Sequence, residues 1–236
     1  MKDIFVKKLK AELLKVANQE KAKILSKFFK TGKGEYADGD KFLGITVPVQ
    51  RKIARKYLNL SLSDIKKLLS SEYHEHRFTG MIILCSLYQK SKHDEKKRIY
   101  DFYLKNLKHV NNWDLVDISA PVIIGDYLLD KERSILYKLA SSESLWVRRI
   151  AILSTFAFIK KNQFHDTLHI AGILIKDKND LIHKAVGWML REVGKRDKET
   201  EEQFLKEHYQ KMPRTMLRYA IEKFNENERK EYLNKK

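Results

Sequence analysis

An aromatic ring and a carboxylate are spaced one helical turn apart in the segment NNWDLVDISAP, residues 111–121. Trp113 and Asp117 are four residues apart, so in a helix both side chains project from the same face. An indole face and a carboxylate both favour positive charge beside them, which makes the pair a candidate site for a cationic group. The alternative is a half-buried Trp beside a solvated Asp, and the pair alone does not distinguish the two.

The charge of the chain indicates an anionic partner. Its 236 residues include 48 Lys and Arg against 31 Asp and Glu, a formal net charge of +17 at pH 7. An excess of this size favours nucleic acid first and an acidic membrane surface second, with an inert basic surface as the remaining alternative. No apolar run approaches the roughly 20 residues that a membrane span requires, so we expect no membrane insertion.

The ends of the chain and its cysteine content bear on the compartment. Residues 1–23 have the pattern of one amphipathic helix laced with charge, which lacks the uncharged core of a signal peptide. The single Cys85 lies among apolar residues, and one cysteine excludes an intramolecular disulfide. We therefore expect a cytoplasmic protein. Residues 226–236 are rich in charge, and we expect them to form a frayed tail.

Helical periodicity runs through the whole sequence and predicts an all-α fold. Apolar residues recur at three- and four-residue spacing, and only 9 Gly and 3 Pro interrupt the pattern. Five helices open with a polar or basic residue followed by an apolar stretch, and their second residues are 36, 36, 35 and 34 positions apart. A helix–turn–helix unit of roughly 35–40 residues indicates a HEAT-like α-solenoid, a superhelix of antiparallel helix pairs.

In a solenoid, equivalent positions of successive repeats lie along one surface. The aligned positions here are Arg77, Trp113, Arg149, Lys184 and Arg218. One helical turn later they are Met81, Asp117, Leu153, Trp188 and Glu222. Basic residues interleaved with aromatics along a concave groove suit a nucleic-acid backbone and its bases or sugars. A solvated basic stripe with core tryptophans is the alternative.

A glycine-rich connector at about residues 30–45 separates an N-terminal helical part from repeats predicted at about residues 50–228. It contains four of the nine glycines, Gly32, Gly34, Gly39 and Gly44. It lacks the Walker pattern and follows no strand, so we favour a structured connector that contacts DNA phosphate through Lys30 or Lys33 over a nucleotide-binding loop. Residues 1–236 are predicted to form a single HEAT-like domain.

Several segments together give a resemblance to a known family. In order along the chain they are FKTGKGEYADGDKFLGITVPVQRKIAR, NNWDLVDISAP, LWVRRIAIL, HKAVGWMLREVGKRD and PRTMLRYAIEKF. The chain resembles the AlkD-like DNA alkylation-repair glycosylases, which are HEAT-like repeat proteins. The resemblance places the family's lesion-facing Trp and Asp at Trp113 and Asp117, its basic residue at Arg149 and its second cleft Trp at Trp188. It places an aromatic that approaches DNA at Phe28, where a Phe removes the hydroxyl of a Tyr.

The resemblance implies base excision repair, by hydrolysis of the bond between an alkylated purine and deoxyribose in duplex DNA. A purine alkylated at ring nitrogen 3 or 7, as in 3-methyladenine or 7-methylguanine, is positively charged and leaves as a neutral base. A general acid is therefore dispensable, unlike in ordinary glycoside hydrolysis. Asp117 would stabilise the oxocarbenium-like charge and orient the water. Trp113 and Trp188 would favour the cation through their indole faces.

The remaining site residues are basic. Arg149 is expected to bind a phosphate near the lesion, and whether Arg148 or Arg149 faces the groove stays open at this point. The other cations predicted to bind DNA are Arg77, Arg148, Lys184 and Arg218. Asp114 is expected to be exposed or to cap the helix, because it projects about 100° per residue away from Asp117.

No metal or organic cofactor is expected. His74 and His76 in the segment EYHEH have no second cluster of ligands to converge with. No lysine is placed for Schiff-base chemistry, so we expect a monofunctional, monomeric glycosylase without a strand-cleaving step.

Two other functions stay open. One is a DNA-binding HEAT-repeat protein of the same family without glycosylase activity, and the other is a protein–protein scaffold. Duplex binding that weakens steeply with salt argues against a scaffold, because it indicates neutralisation of the phosphate backbone. Base release separates the enzyme from its non-catalytic relative.

Overall fold

The computed structural model describes residues 4–234. These residues form helices joined by turns, and their single β-type contact is an isolated bridge between Lys41 and Tyr73. The predicted all-α fold is confirmed. By their contacts the described residues divide into two compact units, one up to Ser119 and one from Ala120. The single HEAT-like domain stays a prediction.

The first unit is built around a helix that is buried along most of its length. Its α-helices are α1 (Ile4–Lys15), α2 (Gln19–Phe28), α3 (Val47–Ala54), α4 (Leu62–Leu69), α5 (His74–Lys90), α6 (His93–Lys105) and α7 (Trp113–Ser119), with 3₁₀ turns at Arg55–Tyr57 and Leu107–His109. The central helix α5 packs against α3, α4, α6 and α7. Phe78, Met81 and Leu84 of α5 lie in the core of this unit.

The N-terminal segment differs from the single helix predicted for residues 1–23. The helix stops at Lys15, and a second one starts at Gln19. Asn18 is the physical reason, because its side chain accepts a hydrogen bond from the Lys21 N–H and caps the new helix. The Asn18 N–H in turn donates to the Leu43 carbonyl (2.8 Å). Residues 1–3 of the prediction lie outside the described part of the chain.

The glycine-rich connector between α2 and α3 is a structured turn fixed to α5. The buried Glu75 accepts hydrogen bonds from the backbone N–H groups of Leu43, Gly44 and Ile45. Gly44 has a φ of 78°, and a Cβ at this position would lie 2.1 Å from the Asn18 carbonyl oxygen. Only glycine fits both the left-handed conformation and this close approach of the backbone.

The second unit is built around α12. After a π-helix at Ala120–Gly125, its α-helices are α8 (Ser134–Ala140), α9 (Leu145–Ser154), α10 (Phe156–Ile159), α11 (His165–Leu174), α12 (Asp180–Gly194), α13 (Lys198–His208), α14 (Arg214–Ala220) and α15 (Glu226–Asn234), with a 3₁₀ turn at Ile221–Lys223. Helix α12 packs against α9, α13 and α14. Its close approach to α14 requires Gly187, because a Cβ there would lie 2.4 Å from the Met216 carbonyl oxygen.

The helix positions follow the predicted repeat. The five apolar stretches lie on α5, α7, α9, α12 and α14, and the shorter amphipathic segments lie on α6, α8 and α13. The superhelical arrangement of helix pairs and the concave basic groove stay predictions. Within residues 4–234, none of the helices combines the length and the apolar character that crossing a membrane requires.

The C-terminal segment differs from the predicted frayed tail. It forms helix α15, and Lys198 makes an ion pair with Glu228 of this helix. The Arg214 guanidinium donates to the Leu233 carbonyl (2.6 Å). These two contacts hold the last described turns in place, whereas residues 235–236 of the predicted tail lie outside the described chain.

Candidate active site

Helix α7 carries the predicted pair of Trp113 and Asp117. It starts at Trp113, and Asp117 follows one turn later. Both residues are half-buried, so each side chain keeps a solvent-accessible part. The four-residue spacing therefore produces the shared helical face that the sequence predicts.

Two adjacent phenylalanines at the end of α2 flank the Trp113 indole. Phe29 stacks on it with ring centroids 5.2 Å apart and an interplanar angle of 11°, and Phe28 approaches it edge-on at 6.1 Å. Phe29 also stacks on Phe42 of the connector (5.0 Å). Phe28, the aromatic that the resemblance assigned to DNA, is 63% exposed. The sequence analysis missed Phe29, although its place beside Phe28 was a usable signal.

A buried charged cluster anchors the first turn of α7 to α5. His74 Nε2 lies 2.8 Å from Asp114 Oδ2, and His74 Nδ1 lies 3.7 Å from Asp40 Oδ2. The Arg77 guanidinium lies 2.6 Å from the same Asp40 oxygen. Asn112, which is fully buried, reaches Asp40 through its amide nitrogen (3.4 Å) and accepts a hydrogen bond from the Trp113 N–H (2.8 Å).

Opposite charges in this cluster outweigh the effect of burial. Burial alone would lower the pKa of His74, but the carboxylates of Asp114 and Asp40 raise it above its ordinary value. Burial likewise tends to raise the pKa of Asp40, yet the hydrogen bond from His74 and the charge of Arg77 keep it below its ordinary value. Below the raised pKa of His74, the cluster therefore consists of two carboxylates and two cations.

This cluster changes the roles expected for two residues. Arg77 was predicted to bind DNA, but it is buried, and its guanidinium donates to the carbonyls of Ser71 (2.9 Å) and Glu72 (3.3 Å) besides pairing with Asp40. Its place on the central helix α5 explains the burial, and the contacts support a structural role. Asp114 was expected to be exposed or to cap the helix. It does accept from the Leu115 N–H, but its side chain is largely buried against His74.

The far end of α7 is held by a second pair of hydrogen bonds. Ser119 Oγ donates to the Leu115 carbonyl (2.6 Å), so the Tyr103 hydroxyl donates to Ser119 (2.8 Å). Burial raises the pKa of Tyr103, and the negative charge of Asp117 adds to this effect. The chain then enters the π-helix Ala120–Gly125, an irregularity that often occurs at functional sites.

In the second unit, Trp188 of α12 is held by an acid one turn later on the same helix. Its indole Nε1 donates to Glu192 Oε1 (3.3 Å), and its ring lies 6.0 Å from that of Phe156. Burial tends to raise the pKa of Glu192, but the Lys195 ammonium at 2.6 Å lowers it below its ordinary value. Glu192 was missed by the sequence analysis, although its spacing from Trp188 is that of a helical side-chain pair.

The two arginines of α9 are both used within the second unit. Arg149 is 5% exposed, and its guanidinium donates to the Leu181 carbonyl (2.5 Å). Arg148 is half-buried, pairs with Asp177 (2.6 Å) and donates to the Ser142 carbonyl (2.9 Å). Arg148 therefore presents more surface to solvent than Arg149, which the resemblance favoured as the phosphate ligand.

The other two predicted DNA-binding cations of this unit are more accessible. The Lys184 side chain on α12 is partly exposed and pairs with Asp180 one turn earlier (2.8 Å). Arg218 lies exposed on α14 and has no ion-pair partner within residues 4–234. In the described part of the chain, no group of three or more His, Cys, Asp and Glu side chains is arranged to hold a metal ion.

Solved structures of other proteins share this fold. The predicted DNA alkylation repair enzyme from Enterococcus faecalis matches with a TM-score of 0.70 and 18% identity, over 89% of this chain and 97% of its own. AlkD2 from Streptococcus mutans matches with a TM-score of 0.56 and 16% identity, over 96% of this chain and 100% of its own. At these identities the likeness is one of fold.

Sequence comparison shows the family. A comparison with curated proteins gives no significant match. The family model described as DNA alkylation repair enzyme matches residues 9–224, which include most of each unit and every predicted site residue. The chain therefore belongs to the DNA alkylation repair enzyme family.

Proposed function

We propose that this protein is a monofunctional DNA glycosylase that releases positively charged N-alkylated purines, such as 3-methyladenine and 7-methylguanine, from duplex DNA. The observation that carries this proposal is the placement of Asp117 one turn after the stacked Trp113, on a helix anchored at both ends. We propose further that it acts as a monomer and needs neither a metal ion nor an organic cofactor.

The charge of the substrate explains why one carboxylate suffices. The bond between the sugar carbon and the cationic purine breaks with its electron pair passing to the base, which leaves neutral. The positive charge that develops on the sugar is stabilised by the Asp117 carboxylate, which also orients the water that attacks this carbon. The water loses one proton to bulk solvent as the new C–O bond forms, and the products are a free base and an abasic site.

The aromatic residues give this chemistry a second source of stabilisation. A cation above an indole face gains about 0.5–2 kcal/mol, which favours the charged sugar over its neutral precursor. Trp113 is held in a fixed orientation by Phe29, and Trp188 is oriented by Glu192. Phe28 exposes its ring beside Trp113, where we propose that it contacts the DNA near the lesion.

The net charge of +17 supports binding to the phosphate backbone. We propose that Lys184, Arg218 and Arg148 contribute the phosphate contacts, because each keeps part of its side chain exposed. Arg149 would need to give up its bond to the Leu181 carbonyl to join them. Because Arg149 is buried, we do not include it among the proposed phosphate contacts.

The test is release of free base from methylated duplex DNA under single-turnover conditions. We expect the natural protein to release 3-methyladenine or 7-methylguanine and Asp117→Asn to lose at least about a hundredfold in rate, as for other key electrostatic groups. The matched control is Asp101→Asn, which makes the same change at a surface carboxylate paired with Lys97. An Asp117→Asn rate equal to that of the natural protein would contradict the role of Asp117.

Binding measurements on the same variants separate the alternatives. DNA affinity that falls steeply with salt while no base is released would support the non-catalytic DNA-binding protein. Absence of salt-sensitive duplex binding would favour a protein–protein scaffold. We expect Asp117→Asn to bind duplex DNA at least as tightly as the natural protein, because the change removes a negative charge from a phosphate-binding surface.

A further inference from the structure

The buried cluster that contains His74 connects the connector, α5 and the first turn of α7. The His74 imidazole lies against both carboxylates, Asp114 at 2.8 Å and Asp40 at 3.7 Å. Asp40 in turn holds Asn112, which accepts the Trp113 N–H. Asp114 and Asn112 flank Trp113 in sequence, so both neighbours of the indole residue are fixed by this cluster.

We propose that His74 is a positioning residue: as an imidazolium between Asp40 and Asp114, it fixes the first turn of α7 and with it the Trp113 indole and the Asp117 carboxylate. The catalytic part of this inference rests on the proposed glycosylase function. The positioning of Trp113 does not, because it follows from contacts within the first unit alone.

The charge balance of the cluster supports the imidazolium. The titratable groups that face His74 are Asp114 from α7, Asp40 from the connector and Arg77 from its own helix. With His74 protonated, two cations balance two carboxylates. With His74 neutral, one carboxylate is left without a counter-charge in a site where His74 is 3% exposed, and an uncompensated buried charge is strongly destabilising. Loss of the proton therefore weakens the contact with Asp114.

Ring stacking provides a second route from His74 to the indole. The imidazole stacks on Phe42 with centroids 4.7 Å apart, and it lies 4.9 Å from the ring of Phe29. Phe29 stacks directly on Trp113. A change in the position of the imidazole is therefore transmitted to the indole through one intervening ring as well as through the first turn of α7.

Tryptophan fluorescence tests the positioning without any substrate. The chain has three tryptophans, so Trp146→Phe with Trp188→Phe leaves Trp113 as the one reporter. In this background we expect the emission of Trp113 to change in one titration step, with its midpoint above the ordinary histidine pKa of about 6.5. His74→Gln should abolish the step. A missing step in the background protein, or the same step in His74→Gln, would overturn the proposal.

His76→Gln is the matched control. His76 lies two residues away on α5, is buried and hydrogen-bonds to Ser71 Oγ (2.8 Å). Burial, with the nearby positive charges of Lys10 and Arg77, lowers the pKa of His76 to about 4. It is therefore neutral over the whole titration, and its replacement should leave the Trp113 step in place. Loss of the step in His76→Gln would mean that any disturbance of α5 removes the signal, and this result would contradict the proposal.

Asp114→Asn is the second variant and keeps the inference testable if His74→Gln does not fold. Removing one of the two carboxylates destabilises the imidazolium, so the Trp113 step should move to lower pH. An unchanged midpoint would contradict the role of the Asp114–His74 contact.

Single-turnover base release adds the catalytic readout. We expect His74→Gln to reduce the rate on the order of tenfold to a hundredfold with little change in DNA affinity, because it misplaces reacting groups rather than removing a DNA contact. The alkaline decline in rate that we expect for the natural protein should be absent in this variant. If no variant releases base, the proposed function fails, whereas the Trp113 titration still decides whether His74 positions α7.

Discussion

The ring of Phe29 lies nearly parallel to the indole of Trp113, with 5.2 Å between centroids and 11° between planes. Phe29 is 6% exposed, whereas its neighbour Phe28 is 63% exposed. Phe28 is the last residue of α2 and Phe29 caps the helix. Phe29 packs against the indole inside the first unit, whereas Phe28 exposes most of its ring to solvent. Two substitutions separate these roles.

Replacing Phe29 by Leu should impair base release more than DNA binding. Leucine conserves most of the core volume, at a cost below about 1.5 kcal/mol, but it removes the flat surface that orients Trp113. We expect the single-turnover rate to fall about tenfold or more. Phe224→Leu makes the same change at a buried ring of the second unit, one that contacts Tyr232, and should leave the rate within a factor of two to three of the natural protein, about 0.5 kcal/mol. Equal rate losses in the two variants would indicate a stability effect.

Replacing Phe28 by Ala should weaken DNA binding at little cost in stability. An exposed ring contributes little to the core, whereas stacking of an aromatic on nucleic acid is worth about 1–3 kcal/mol per base. Affinity for methylated duplex, measured by fluorescence anisotropy, should fall about fivefold or more. Leu14→Ala, at a residue of α1 that is 64% exposed, is the matched control and should bind normally.

The burial of Arg77 predicts a stability defect in place of a DNA-binding defect. Arg77→Met leaves Asp40 buried without its closest counter-charge, and breaking such a pair costs about 3–5 kcal/mol. We expect a large drop in the denaturant midpoint, while the salt dependence of DNA binding by the folded fraction stays unchanged. A shallower salt dependence in Arg77→Met would contradict this prediction and indicate that Arg77 contacts a phosphate.

Arg218 should behave in the opposite way. Its guanidinium is exposed on α14, so Arg218→Ala should change the free energy of unfolding by no more than about 0.5 kcal/mol. If it neutralises one phosphate, the slope of log affinity against log salt should decrease by about 0.9. Titrations of duplex DNA at four or five salt concentrations measure this slope. An unchanged slope would remove Arg218 from the proposed phosphate contacts.

Glu201 of α13 predicts a pH dependence of stability. This carboxyl group is 1% exposed, and burial, followed by the charge of Glu202, raises its pKa from 4.5 to about 8. Unfolding therefore releases a proton over this range, and stability falls as the pH rises from about 4.5 to about 8. Glu201→Gln should remove this pH dependence of stability. Its Tm should therefore exceed that of the natural protein by a margin that grows from about pH 4.5 to about pH 8. Glu207→Gln, at an exposed residue of the same helix, should follow the natural protein.

Much of the fold was accessible from sequence because the apolar positions recur with helical and repeat periods. Those periods depend on residues such as Leu153 and Met81, whose burial is set by helix geometry alone. The interruption of the N-terminal helix at Asn18 was not predicted. An asparagine that caps a helix cannot be distinguished, within an amphipathic pattern, from a polar residue on the exposed face of one continuous helix. The prediction of a frayed tail was wrong. Helix α15 is held by Arg214 and Lys198, and contacts with such distant residues cannot be read from the local sequence.

The candidate site was predictable only in part. Spacing along one helix was enough to place Trp113 and Asp117 on a common face. The cluster of His74, Asp40 and Asp114 was not, because its members are 34 and 40 residues apart and no local pattern indicates which charges meet in the core. Repeat alignment also cannot distinguish a cation that faces solvent from one that pairs with a buried acid, as Arg218 and Arg77 illustrate.

Helix α2 has no buried residue, although Phe29 immediately after it is part of the core. Its position is therefore fixed from its two ends, by Asn18 against Gly44 and by Phe29 against Trp113. Substitutions at the exposed positions of α2, such as Ile24, should therefore change its surface at a cost of no more than about 0.5 kcal/mol. Under the proposed glycosylase function, selection could therefore vary α2 to change the surface beside Trp113 while the two anchoring ends of the helix stay unchanged.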